Sequence, residues 1–146
     1  MDMNFLIIDD DVTIRKMLRY IIKKNNLGKV LCEIDSGGYA VQEIIFYNPD
    51  IVLIDLLLPI LDGIEIIKAA KKQGYNGKFI MISQVEEEPL ISNAYENGIT
   101  FFINKPINSI ETINVIKGIG HNIELENSLS LTKLHRKKMG MRIKRP

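Results

Sequence analysis

Three consecutive aspartates, Asp9, Asp10 and Asp11, follow the apolar run Phe5–Ile8, and Asp55 follows the apolar run Ile51–Ile54. Ser83 closes a further run, Phe79–Ile82, and Lys105 with Pro106 comes just after Phe101–Ile103. Carboxylates that point together repel, so either one of them keeps a proton or a cation binds between them. Hard oxygen ligands select Mg2+, which retains waters and often uses one or two carboxylates plus a phosphate. No His or Cys stands beside these positions to favour zinc. A lysine holds an anion as a point charge, and a hydroxyl donates one hydrogen bond to it. A metal, an ammonium and a hydroxyl around a carboxylate are the parts needed to place a phosphoryl group on that carboxylate. Each residue alone has a plainer role: the aspartates as helix caps or turn residues, Ser83 as a loop residue, Lys105 as a solvated lysine. Their joint placement is what carries the chemistry.

That placement depends on the elements between them. Short apolar runs alternate with stretches of helical period. After Phe5–Ile8, the residues Ile14, Met17, Leu18, Ile21 and Ile22 recur on one helix face. Asp11 or Thr13 can cap that helix, and Asn25–Gly28 stops it. Val30–Ile34 reads as a second strand, followed by a helix with Ala40, Val41, Ile44 and Ile45 inward. Ile51–Ile54 shows no alternation, as expected of a parallel strand covered on both faces. A helix with Ile64, Ile67 and Ala70 leads to the strand Phe79–Ile82. Pro89 fits the first turn of a helix bearing Leu90, Ile91, Ala94 and Tyr95. Phe101–Ile103 is a fifth strand, and Asn108 or Ser109 caps a last helix with Ile110, Ile113 and Ile116 inward. Gly118 and Gly120 weaken that helix by about 1 kcal/mol each relative to alanine; the pattern is compatible with an end there or with continuation through Ile123 and Leu125. The alternation predicts an α/β fold, a doubly wound five-stranded parallel (βα)5 sheet with right-handed crossovers. Ligands in such sheets bind at the carboxyl ends of the strands, where Asp9, Asp10, Asp55, Ser83 and Lys105 all fall.

Composition narrows the class. The chain has 146 residues, 46% hydrophobic and 25% charged, enough for one domain with its own core plus a short appendage. Cys32 is the single cysteine, which excludes an intramolecular disulfide framework and a multi-cysteine zinc site. No apolar run approaches the roughly 18–20 residues needed to cross a bilayer, and the first residues lack the basic region of a signal peptide. A cytoplasmic protein without a membrane partner is the expectation. No phosphate-binding loop, dinucleotide fingerprint or zinc motif is present. Charge is unevenly spread: residues 1–120 carry 12 Lys/Arg against 16 Asp/Glu, whereas residues 121–146 carry 7 against 2. The basic end, Lys133–Pro146, reads as a solvated linker or terminus, or as an arm leading to a nucleic-acid-binding module.

The strand-end residues resemble the receiver domain of two-component response regulators. Phe5-Leu6-Ile7-Ile8-Asp9-Asp10-Asp11 looks like that family's first strand with its acidic pair. Asp55-Leu56-Leu57-Leu58-Pro59-Ile60-Leu61-Asp62-Gly63 matches its phosphoacceptor pattern D-x-x-x-P-x-x-D-G at every fixed position. Phe79–Ser83 and Phe102-Ile103-Asn104-Lys105-Pro106 match the strand ending in Ser or Thr and the aromatic-x-x-Lys-Pro motif. The resemblance implies a flavodoxin-like sheet of strand order 2-1-3-4-5. It implies Asp55 as phosphoacceptor, and Asp9, Asp10, Asp55 and the backbone carbonyl of Leu57 as Mg2+ ligands. Lys105 and Ser83 would contact the phosphoryl group, and Ser83 and Phe102 would switch on activation. A sensor histidine kinase would be the donor, and transcription the output, through a C-terminal DNA-binding domain outside this chain. A homodimer would form through the face of helix four, strand five and helix five. Ile82-Ser83-Gln84, Asn104–Asn108 and Ile123–Glu126 are also similar to regulators linked to glutamine utilisation. The implied division is a receiver over 1–122 and a basic linker or tail over 123–146. Gln84 stands where the family usually has a small residue, and Leu57 and Val85 place apolar side chains near the site.

Two alternatives remain at this level. Asp9-Asp10-Asp11-Val12-Thr13 also fits the D-x-D-x-T pattern of haloacid-dehalogenase-type phosphatases, with Asp9 as nucleophile and Asp11 as general acid. That reading leaves Asp55–Gly63 unexplained and finds only Glu111 where an acidic pair should follow the lysine. The other alternative is a stand-alone receiver without DNA-binding output.

Overall fold

A computed structural model describes residues 2–139. Five strands, β1 (Met3–Ile8), β2 (Gly28–Ile34), β3 (Ile51–Ile54), β4 (Lys78–Ser83) and β5 (Phe101–Asn104), alternate with five helices. These are α1 (Val12–Lys24), α2 (Ala40–Tyr47), α3 (Gly63–Lys72), α4 (Glu88–Glu96) and α5 (Ser109–Lys138). All strand pairs are parallel and the sheet order is β2-β1-β3-β4-β5, the order that the family resemblance implies. The central strands are apolar without alternation because helices cover both faces. Even and odd positions of one strand therefore enter different cores. Leu6, Ile8, Val52, Ile54, Phe79 and Met81 pack with α2, α3 and α4. Phe5, Ile7, Ile51, Leu53, Ile80 and Ile82 pack with α1 and α5.

Local chemistry sets where each helix begins. The Asp11 carboxylate accepts from the Thr13 N–H at 2.8 Å and caps α1, so Asp11 rather than Thr13 is the cap. Asp62 and Glu65 form a reciprocal capping box on α3. Asn108 caps α5 by accepting from the Glu111 N–H at 2.9 Å. Gly63 lies so close to the end of β3 that an added Cβ would sit 2.5 Å from the Asp55 carbonyl. The Asp62-Gly63 pair thus starts α3 directly against the site strand.

Some inward assignments differ from the periodicity. On α2 only Ala40 and Ile44 are buried, and Ile45 is left exposed because the helix is short and its buried stripe narrow. On α4 Ala94 is buried and Ile91 half-buried, but Leu90 and Tyr95 are exposed. Ile110 is exposed in the first turn of α5, before the helix reaches the sheet. The two glycines do not end α5. The helix runs on to Lys138, about 45 Å at 1.5 Å per residue, with Thr112, Ile116, Ile119 and Gly120 on its buried face. Ile123 still packs against the core, and Lys78 pairs with Glu126 at 3.0 Å. The basic end is therefore helical through Lys138; its last part, residues 140–146, lies outside the described residues.

Candidate phosphoacceptor site

The site is assembled from backbone outward. Asp9 follows β1 and its N–H bonds to the Ile34 carbonyl at the end of β2 (3.0 Å); the Asp55 N–H bonds to the Ile8 carbonyl (2.9 Å). The Lys105 N–H bonds to the Ser83 carbonyl (2.9 Å), tying the end of β5 to the end of β4. Continuing the sheet ladder by one residue beyond each strand thus brings Asp9, Asp55 and Lys105 to one edge. The Lys105–Pro106 peptide is cis.

The Lys105 ammonium bridges two carboxylates, lying 2.9 Å from Asp9 Oδ2 and 2.8 Å from Asp55 Oδ2. These side chains are 11%, 3% and 7% exposed respectively, so the triad is a buried ionic cluster. The remaining lone pairs are partly satisfied by backbone: the Asp11 N–H donates to Asp9 Oδ1 (2.9 Å), and the Leu57 N–H donates to Asp55 Oδ1 (3.2 Å). Arg15, from α1, donates to the Asp9 carbonyl at 2.6 Å and also lies 3.6 Å from Glu33. Sequence reasoning missed this arginine, because nothing in its spacing separates it from the other exposed cations of α1.

Asp10 completes the acidic group. One carboxylate oxygen each from Asp9, Asp10 and Asp55 lies within 4.8 Å of the others, with Asp10 on the exposed side. Three carboxylates against one ammonium leave an excess of negative charge. Burial pushes the Asp9 carboxyl above its ordinary range, and this outweighs the hydrogen bonds from Lys105 and the Asp11 backbone. Burial alone would lower the Lys105 ammonium, but its hydrogen bonds to Asp55 and Asp9 prevail and hold it above its usual value. The lysine stays charged, and the three carboxylates are a set that could hold a cation.

Ser83 is fully buried, and its hydroxyl has no hydrogen-bond partner. Leaving a buried hydroxyl unpaired costs about 1–3 kcal/mol, so a group that accepts or donates there is favoured. Phe102 is half-buried against the core beneath α4. Its backbone N–H, on the edge strand β5, donates to the Tyr95 hydroxyl at 3.0 Å. Leu57 is exposed at the β3–α3 loop, whereas Val85 turns into the core, so of these two apolar neighbours only Leu57 presents its side chain to solvent. Gln84 is exposed. Asp11, the general acid of the phosphatase alternative, caps α1 with one carboxylate oxygen.

A five-stranded sheet of order 2-1-3-4-5 with an acidic cluster and a lysine at its carboxyl edge defines a receiver-type signalling domain. The sequence model described as response regulator receiver domain matches residues 5–117. The chain belongs to that family, the receiver domain of two-component response regulators. It is 45% identical over 131 residues to the transcriptional regulatory protein GlnL of Bacillus subtilis (strain 168), covering 87% of this chain and 40% of GlnL. It is 31% identical over 111 residues to the chemotaxis protein CheY of the same strain, covering 76% of this chain and 92% of CheY. It thus spans less than half the length of GlnL and nearly all of CheY. Among solved structures, the CheX-CheY-BeF3-Mg+2 complex from Borrelia burgdorferi is similar at a TM-score of 0.75 and 28% identity, covering 80% of this chain and 88% of that one. The REC domain of AraT from Geobacillus stearothermophilus is similar at 0.79 and 26%, covering 87% and 99%. Among the described residues no helix is long and apolar enough to cross a membrane.

Proposed function

We propose that Asp55 is the phosphoacceptor of this receiver domain. The observation that carries the reading is the Lys105 ammonium held between the buried carboxylates of Asp55 and Asp9, with Asp10 within reach of both. A carboxylate oxygen of Asp55 attacks phosphorus, and an O–P bond forms as the P–N bond of a phosphohistidine breaks. The imidazole of a sensor histidine kinase is the leaving group. Asp55 keeps the geometry for this attack because Leu57 and Lys105 each hold one of its oxygens.

Asp9, Asp10 and Asp55, with the Leu57 carbonyl, are the residues that would hold Mg2+; all are oxygen donors, the set a hard cation selects. When bound, Mg2+ supplies positive charge that offsets repulsion between the incoming phosphoryl oxygens and the nucleophile. Lys105 then pairs with a phosphoryl oxygen, and the orphaned Ser83 hydroxyl gains its partner. That new bond draws Ser83 and the end of β4 toward the phosphoryl group. Movement there frees space beside Phe102, whose ring shifts with β5 and α4. A two-state equilibrium biased in this way needs only a few kcal/mol of differential contact.

The output is transcription, through a DNA-binding domain joined by the basic segment 123–146; the similarity to GlnL, a transcriptional regulatory protein by name, supports this. A homodimer through the face of α4, β5 and α5 and a cytoplasmic location complete the reading. The test is intact mass after acetyl phosphate with Mg2+. Addition of one phosphoryl group, lost in Asp55→Asn and without Mg2+, is the expected result. Addition that survives in Asp55→Asn but not in Asp9→Asn would overturn it in favour of Asp9 as nucleophile.

A further inference from the structure

Two surfaces outside the phosphoacceptor site carry opposite and unbalanced charge. Helix α1 contains Arg15, Lys16, Arg19, Lys23 and Lys24 and no acidic residue. Lys29, at the start of β2, extends the same patch. Arg15 and Arg19 are engaged by Glu33, but among the described residues Lys16, Lys23, Lys24 and Lys29 form no ion pair. On α4 and its lead-in, residues 84–98 contain Glu86, Glu87, Glu88 and Glu96 and no lysine or arginine. These glutamates are exposed and likewise unpaired among the described residues.

Shape matches charge. Between α1 and β2 lies a groove of about 480 Å3 with Ile22, Val30 and Leu31 on its floor and Arg19, Lys23 and Lys29 on its rim. An apolar floor with a cationic rim fits an acidic segment that also offers apolar side chains, rather than a bare polyanion. Strand addition at the β2 edge is disfavoured, because the register shift between Phe5 and Leu6 leaves Leu31 unpaired as a bulge. Helix α4 presents Leu90 and Tyr95, both exposed, beside its glutamates. Helices α1 and α4 pack on opposite faces of the sheet, so one copy cannot bring its own α4 to its own α1.

We infer that the unphosphorylated chain associates head to tail, the acidic α4 face of one copy seating in the basic α1–β2 groove of a second copy. Leu90 covers the apolar floor, and Glu86, Glu87 and Glu88 meet Lys23 and Lys29. Because the two surfaces face opposite ways, this contact is heterologous and extends beyond a dimer. A symmetric pair through α4, β5 and α5 would cover the same glutamates, so the two assemblies exclude each other. The inference goes beyond the phosphoacceptor reading and stands whether or not Asp55 accepts phosphate.

Sedimentation equilibrium of the full chain tests it. Average mass should rise with concentration past that of a dimer in about 0.05 M salt and fall back in about 1 M salt, where screening is within a few Å. Lys23→Glu/Lys29→Glu and Glu86→Lys/Glu87→Lys should each weaken association by about tenfold or more. An equimolar mixture of the two variants should associate again, since each then offers the surface the other lacks. A chain that stays monomeric in low salt overturns the inference. So does a species that stops at a dimer, association unchanged by the α1 reversal (which would point to the basic end of α5 instead), or a mixture that fails to recover.

Discussion

Lys105 is the most informative side chain to remove, because one ammonium lies between two buried carboxylates. Lys105→Met keeps most of the stem and deletes the charge. The three side chains are 11% exposed or less, so the loss belongs to the buried regime, where removing one partner costs about 3–5 kcal/mol. Protonation sets a ceiling on the cost. A carboxyl of ordinary pKa near 3.9 is neutralised at pH 7 for about 4 kcal/mol, and at pH 5 for about 1.5 kcal/mol. Burial already raises Asp9, and losing the lysine that opposes this raises it further. A carboxyl raised in the folded state binds its proton more tightly there, so lowering the pH favours the folded variant. Lys105 is itself raised above 10.5, so its contribution to the unsubstituted chain is intact from pH 5 to 7 and is lost only as pH rises through the alkaline range. Urea unfolding in metal-free buffer should therefore show Lys105→Met less stable by about 3 kcal/mol at pH 7 and by about half that at pH 5. Mg2+ should stabilise the variant more than the parent, since the cation takes over the role of the ammonium. A deficit under about 0.5 kcal/mol at pH 7, the size of an exposed pair, or one that does not shrink on acidification, would refute the reasoning.

Ser83→Ala removes an unpaired buried hydroxyl, so thermal unfolding of the unphosphorylated chain should show stability unchanged or raised by up to about 1 kcal/mol. The same variant should lose most of the phosphorylation-dependent change in Phe102 mobility, read by NMR. Gly118 is exposed, mid-helix, with open space where a Cβ would go; Gly118→Ala should raise stability by about 1 kcal/mol, and a loss in urea unfolding would mean α5 is not continuous there. Ile60 is a β-branched residue at φ 74 and 80% exposed. Ile60→Gly should relieve strain of about 1–3 kcal/mol against a backbone cost of about 0.5–1 kcal/mol, a net gain visible in the same assay.

The site was legible because a parallel sheet converts sequence into position: the residue after each apolar run must emerge at one edge. Asp9, Asp55 and Lys105 meet there for that reason, and the Asp62-Gly63 pair gains a geometric explanation in the close approach of α3 to Asp55. What was not legible depends on packing between helices or on side-chain reach. Periodicity placed Ile45, Leu90 and Tyr95 inward, yet α2 and α4 bury only narrow stripes, and Tyr95 instead extends its hydroxyl to the edge strand. The continuation of α5 past Gly118 and Gly120 turned on tertiary contacts of Ile116, Ile119 and Ile123, which outweigh local propensity. Arg15 on the Asp9 carbonyl carried no signal in its spacing. The two apolar residues that the sequence puts near the site separate in space, with Leu57 outward and Val85 in the core.

The central claim is that one particular carboxyl group becomes an acyl phosphate beside Lys105. Borohydride reduces an aspartyl phosphate to homoserine, so treatment of the phosphorylated chain followed by peptide mass mapping reads the modified position directly. Homoserine at position 55, absent when Mg2+ or the phosphodonor is left out, is the expected result. Homoserine at position 9 or 10, or none at all in a chain whose intact mass has risen by a phosphoryl group, would contradict the account.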